Sequence, residues 1–242
     1  MRKFRPRRWL VWTLVIILVV SGSLWGTWEL SSARSFQFYG GLTDRVDTGE
    51  KVVALTFDDG PTERTPEVLA ALAAAKVRAT FFVTGRELAA NPGQGEAIVR
   101  AGHELGNHSY SHERMVLVGE DFVRSEVERT DALIRAAGHT GPIHFRPPNG
   151  KKLITLPRYL AAHQRQTIMW DVEPESDGTN AADPAAISQS VLDKTRPGSI
   201  ILLHVMYPVR QPSLAAVPGL ISGLTARGYR FVTVSELLAL RR

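Results

Sequence analysis

At 242 residues and 44% hydrophobic composition, the chain has material for one sizeable domain with a real core. Its formal charge of +5 resides in Arg2, Lys3, Arg5, Arg7 and Arg8; removing these five from 29 basic residues leaves 24, matched by 24 acidic ones, so no basic footprint for nucleic acid survives. Zero cysteines exclude disulfides and thiolate metal ligands, leaving His, Asp and Glu as the strong metal-binding side chains.

The basic cluster is followed by WLVWTLVIILVVSGSLWGTW, residues 9–28, which carries no charge and has the length needed to cross a bilayer as a helix. Tryptophans 9, 12, 25 and 28 sit toward its ends, where aromatic rings favour the membrane interface. The positive cluster predicts a cytoplasmic N-terminus and an extracytoplasmic remainder, in the cytoplasmic membrane of a bacterial-type cell. A cleaved signal peptide is the alternative, with Ser31-Ser32-Ala33 as a small-residue cleavage site that would yield a secreted protein starting near Arg34. The expected organisation is a cytoplasmic tail over 1–8, a transmembrane signal anchor over 9–28, a connector over 29–50 and a folded domain over 51–242.

Beyond the connector, strand-like runs alternate with helical periodicity. Strands are expected at Val52 to Phe57, Ala79 to Thr84, His103 to Gly106, His144 to Arg146, Thr167 to Asp171, Ser199 to His204 and Arg230 to Val234. Helices are expected at Thr65 to Ala75, Gly95 to Ala101, Asp121 to Ala137, Leu153 to His163, Pro184 to Lys194 and Ser213 to Arg227. Pro66 and Pro184 suit first turns, and Gly138 and Gly228 suit C-terminal stops. Such alternation predicts an α/β fold, a sheet of about seven parallel strands closed or nearly closed into a barrel, preceded by one transmembrane helix.

The ionisable motifs fall at the C-terminal ends of these strands, the face on which barrel enzymes assemble their sites. Asp58 and Asp59 follow VVALTF, Asn107 and His108 follow the third strand, Arg146 ends the fourth, Asp171 ends TIMW, and His204 ends SIILL. Taken singly, each has a plainer reading: the aspartates as a turn or helix cap, His204 as a core histidine, Arg146 as a structural ion-pair partner. In the NHSYSH segment, His108 and His112 are four apart, a spacing that on one helical face grips a single ion. Two imidazoles and a carboxylate supply a three-ligand site with an open position, and a further carboxylate and imidazole remain for proton transfer.

These motifs, TFDDGPT, HELGNHSYSH, FRPPNG and ILLH in that order, resemble the polysaccharide deacetylases with a NodB homology domain, carbohydrate esterase family 4, over about Val52 to Leu238. The resemblance implies a distorted (β/α) barrel, and hydrolysis of acetyl groups from N-acetylglucosamine units of peptidoglycan or another cell-surface polysaccharide, with O-deacetylation as the less common outcome. It implies a divalent metal, zinc first, with cobalt or another transition metal able to substitute. Carried over by position, Asp59, His108 and His112 become the metal ligands, Asp58 the general base, Arg146 the residue orienting it, and His204 the general acid. A backbone N–H within Pro147 to Gly150 is expected to hold the acyl oxygen, making Pro147 and Asn149 the expected substrate-binding residues.

Two departures stand out. Asn149 replaces the tyrosine common after the arginine motif, and the stretch WDVEPESDG lacks the family's Asp-x-x-Asp-Trp. A carboxylate near His204 is needed to keep it a proton donor, and Asp171, Glu173, Glu175 and Asp177 all stand as candidates. The expected partners are an acetylated glycan and the membrane, with neither nucleic acid nor a protein partner indicated. A glycan-binding module that keeps the fold without turnover is the competing reading, and a membrane-tethered scaffold a third.

Overall fold

The computed structural model describes residues 8–242, so the expected basic tail lies outside the described residues except for Arg8. The N-terminal helix α1 (Arg8–Ser31) is long and apolar enough to cross a membrane, and its apolar stretch is unburied by the rest of the chain. Strand β1 (Leu42–Thr43) comes from the stretch read as a connector, and Val46 beside it is fully buried.

The domain continues with β2 (Val52–Asp58), α2 (Thr65–Ala75), β3 (Thr80–Val83), α3 (Gly85–Ala90), α4 (Pro92–Arg100), β4 (Glu104–Asn107) and α5 (Glu120–Ala136). It then runs through α6 (Thr155–Ala162), β5 (Thr167–Ile168), α7 (Pro184–Lys194), β6 (Ile200–His204), α8 (Gln211–Ala226), β7 (Arg230–Val232) and α9 (Val234–Leu238). Apolar periodicity foretold most of these. Helix α3 is too short to show a period, and its start is fixed by the Thr84 side chain accepting from the Glu87 amide. The strands expected around 144–146 and 167–171 shrink to one bridging residue, Phe145, and to two-residue β5.

All paired strands run parallel, in the order β4-β3-β2-β6, with β7 alongside the first half of β2 and β1 beside β5. Single parallel bridges complete the circuit: Asn107 with Phe145, Phe145 with Thr167, and Val172 with Ile201. On this side the parallel strands are linked only through isolated bridging residues.

Strand β2 is buried along its whole length, as expected for a parallel strand covered on both faces. Its period of two divides it cleanly. Val53, Leu55 and Phe57 face the outer helical layer with Val68, Leu72 and Leu220, whereas Val52 and Ala54 face the interior with Phe82, Ile200 and Leu202. Extending the same alternation puts Thr56, Asp58 and His204 on the interior face, and the β2–β6 register pairs Asp58 directly with His204. Gly106 on β4 leaves room for Phe82, since a Cβ there would stand 2.5 Å from its Cδ1.

Candidate active site

Alternation delivers Asp58 to the interior rim; the next residue must turn away. Asp59 does so with φ of 72°, a left-handed conformation that aspartate tolerates better than most side chains. Gly60 follows at φ +72°, where a Cβ would meet Met206 Cγ at 2.7 Å.

The histidine pair converges by a route different from the expected helical face. Residues 108–112 form a loop in which Ser109 (φ 65°) and His112 (φ 62°) are left-handed. Asn107 Oδ1 accepts from the Ser109 amide at 2.8 Å, Ser109 Oγ accepts from the His112 amide at 3.0 Å, and Glu126 of α5 accepts from the amides of Tyr110 and Ser111. These bonds offset the local backbone cost and bring the two imidazole rings to 4.9 Å between centroids.

His112 Nε2 lies 3.4 Å from Asp59 Oδ1, and His108 Nε2 lies 3.9 Å from the same oxygen. One ligand atom from each of Asp59, His108 and His112 falls within 4.8 Å of the others. A tetrahedral zinc with bonds near 2.1 Å places its ligands about 3.4 Å apart, so the donor set and its spacing fit a divalent cation. His108 Nδ1 donates to the Arg146 carbonyl at 2.8 Å, an arrangement that in a neutral ring presents the Nε2 lone pair to the ligand cluster. Burial and the neighbouring His108 lower the pKa of His112, favouring the neutral, metal-binding form.

Arg146 is wholly buried. Its Nη1 donates to Asp58 Oδ1 at 2.5 Å and to Thr56 Oγ1 at 2.8 Å, while Nε and Nη2 donate to the carbonyls of Ile168 and Met169. The guanidinium also lies 4.0 Å from the Phe82 ring centroid. Burial alone would raise the Asp58 pKa, but the charges of Arg146, His108 and His204 outweigh it and hold the carboxyl below its ordinary value.

Of the four carboxylates considered for His204, Glu175 faces it. The His204 ring donates from Nδ1 to Glu175 Oε2 at 2.5 Å, the His204 amide bonds the same carboxylate, and Ser213 Oγ donates to its other oxygen. Burial would lower the His204 pKa, yet the Glu175 hydrogen bond and the Asp58 and Glu175 charges raise it to about 9. The other three bond to other groups. Asp171 accepts from Ser199 Oγ and the Ile200 amide at the start of β6, the opposite end of that strand from His204, so its expected place on the catalytic rim is corrected. Asp177 binds Thr179, Ser190 and Lys194, and Glu173 accepts from Trp170 Nε1 at 2.8 Å.

Asp58, His108, His112 and His204 share one cleft of about 460 Å³, walled also by Asn149, Gly150, Trp170 and Glu173. Asn149 sits at φ 54° and is exposed; Pro147 is buried behind it. The Gly150 amide donates to the Pro147 carbonyl at 2.9 Å, and prolines 147 and 148 have no N–H, so within 147–150 only the Asn149 amide is left for an acyl oxygen. Sequence patterns gave no warning of Trp170 or of Ser32 and Arg34, which also line the cleft.

The family model described as Polysaccharide deacetylase matches residues 45–168. A peptidoglycan-N-acetylglucosamine deacetylase of Bacillus cereus is 33% identical over 213 residues, covering 82% of this chain and 93% of that protein. A solved peptidoglycan N-acetylglucosamine deacetylase in complex with 4-naphthalen-1-yl-N-oxidanyl-benzamide superposes with a TM-score of 0.76 at 30% identity, over 82% of this chain and 94% of the other. A family 4 pseudoenzyme from Bacillus anthracis superposes with a TM-score of 0.74 at 30% identity, over 85% and 71% respectively.

Proposed function

The chain belongs to the polysaccharide deacetylase family, carbohydrate esterase family 4, and we propose that it removes acetyl groups from N-acetylglucosamine units of peptidoglycan or a related glycan outside the cytoplasmic membrane, with Asp59, His108 and His112 holding a divalent cation. The observation that carries this reading is the convergence of those ligand atoms within 4.8 Å, beside Asp58 and across from His204. When bound, such a cation supplies Lewis acidity, polarising the acetyl carbonyl and acidifying water.

The remaining work falls to the chain. Asp58, ionised and fixed by Arg146, accepts the proton of the attacking water. The Asn149 amide stabilises the charge that develops on the acyl oxygen. His204, held protonated by Glu175, donates from Nε2 to the departing amine, which otherwise leaves poorly. No covalent acyl-enzyme is needed.

Zinc is the proposed metal, with cobalt as a working substitute. Helix α1 serves as a signal anchor with the domain outside the membrane, the basic residues before it fixing that orientation. By this reading the chain divides into a cytoplasmic tail, a span and a catalytic domain whose first strand is β1.

The test uses the full-length protein in lipid, assayed on N-acetylchitooligosaccharides, acetylated peptidoglycan and O-acetylated xylan for both acetate and free amine. Equal acetate and amine are expected, lost with chelator and restored by zinc or cobalt; Asp58→Ala should lower the rate by about 10²-fold or more while metal stays bound. Acetate without amine would replace N- with O-deacetylation. Background release on every glycan, indifferent to chelator, would leave a glycan-binding module without turnover.

A further inference from the structure

The cleft has a wall that the catalytic domain does not supply. Ser32 and Arg34, just beyond the end of α1, line it together with Asp58, His108 and His204. Their position is fixed from both sides. Ser31 is fully buried, Lys151 Nζ donates to the Trp28 carbonyl at 3.1 Å and to Ser31 Oγ at 3.2 Å, and its ammonium stands 3.8 Å from the Trp28 ring centroid. A cation at these last carbonyls suits the negative end of the helix. Lys152, itself buried, holds the next residues: its amide donates to the Ser31 carbonyl at 2.8 Å and its Nζ to the Ala33 carbonyl at 2.5 Å.

Arg34 completes the wall. Its Nη2 donates to Glu173 Oε2 at 2.5 Å, the oxygen that also accepts from Trp170 Nε1, and its guanidinium lies 4.9 Å from the Trp170 ring centroid. The side chain nevertheless stays 42% exposed. A guanidinium has five N–H donors in a rigid fork, so the bond to Glu173 leaves others free for an occupant of the cleft. Because Glu173 already balances the positive charge, those donors suit hydroxyl and acetamide oxygens of an uncharged sugar better than an anion.

Building on the deacetylase reading, we propose that Arg34 is a glycan-binding residue, so that the segment leaving the membrane helix forms one side of the sugar groove. A glycan is then gripped between the juxtamembrane segment and the barrel rim, close to the outer end of α1.

Full-length, zinc-loaded protein in nanodiscs, assayed on N-acetylchitooligosaccharides, tests this. Arg34→Ala should raise KM about fivefold, the size of one hydrogen bond, with kcat within about twofold and bound zinc unchanged. Arg34→Lys, which keeps a donor but loses the fork, should fall between. Binding of the same oligosaccharide by calorimetry should weaken by the same factor. An Arg34→Ala protein whose KM and calorimetric Kd match wild type overturns the proposal, as does a loss confined to kcat. Wild-type protein that binds the oligosaccharide but releases no acetate defeats the deacetylase reading alone, and calorimetry on Arg34→Ala then still decides whether Arg34 touches the glycan.

Discussion

His204 and Glu175 are 29 residues apart in sequence and are joined by a 2.5 Å hydrogen bond from the imidazole Nδ1 to Oε2. The bond gives the ring a buried counter-charge, and together with the charges of Asp58 and Asp59 it raises the pKa from the ordinary 6.5 to about 9. Because the folded value lies above the unfolded one, the resulting stability is fully present below pH 6.5 and is lost as pH rises through about 9. Glu175→Gln should therefore lower the His204 pKa in an NMR titration of the metal-free protein. It should also shift the alkaline limb of kcat downward, because the proton donor is then lost earlier.

The Arg146–Asp58 pair is buried on both sides, so removing one member deprives the other of its hydrogen-bonded counter-charge. Arg146→Ala should lower stability by about 3–5 kcal/mol in denaturant unfolding as well as depress acetate release. Adding Asp58→Asn should recover part of that stability without recovering activity, giving a non-additive cycle. Independent losses that simply add would show that the two side chains are not energetically linked.

Metal content separates ligands from proton carriers. His108→Ala and His112→Ala should each lose bound zinc and acetate release together, by elemental analysis and assay, with melting temperature lowered because ion binding adds to folding free energy. His204→Ala should keep its zinc and lose turnover. Retention of full zinc occupancy in His108→Ala would remove His108 from the cluster.

The docking of the α1 end against Lys151 and Lys152 bears on processing. Ser31 is buried and the Ala33 carbonyl is hydrogen-bonded, so the small-residue stretch is not presented as an extended protease substrate in the folded chain. Intact-mass measurement of membrane-extracted protein should find residues 1–33 still attached. A mature N-terminus at Arg34 would show that the helix is removed before the domain folds around it.

Most of the rim was legible because it follows from strand alternation. VVALTFD and IILLH are apolar runs whose period of two fixes which face Asp58 and His204 occupy. What escaped the sequence depends on chain path instead of period. The 172–183 stretch contains no regular element, so nothing local distinguishes Glu175 from Glu173 or Asp177. The spacing of His108 and His112 is compatible with a helix, and only the tertiary bonds that Glu126 accepts from the Tyr110 and Ser111 amides, together with the left-handed Ser109 and His112, decide for a loop. Arg34 meets Glu173 across 139 residues, a contact no local pattern encodes.

Arg146 touches the site twice, through its carbonyl on His108 and through its guanidinium on Asp58. One residue thereby sets the spacing between the His108 ring and the Asp58 carboxylate. A shift of the 145–147 backbone would therefore carry the His108 ring and the Asp58 carboxylate along together.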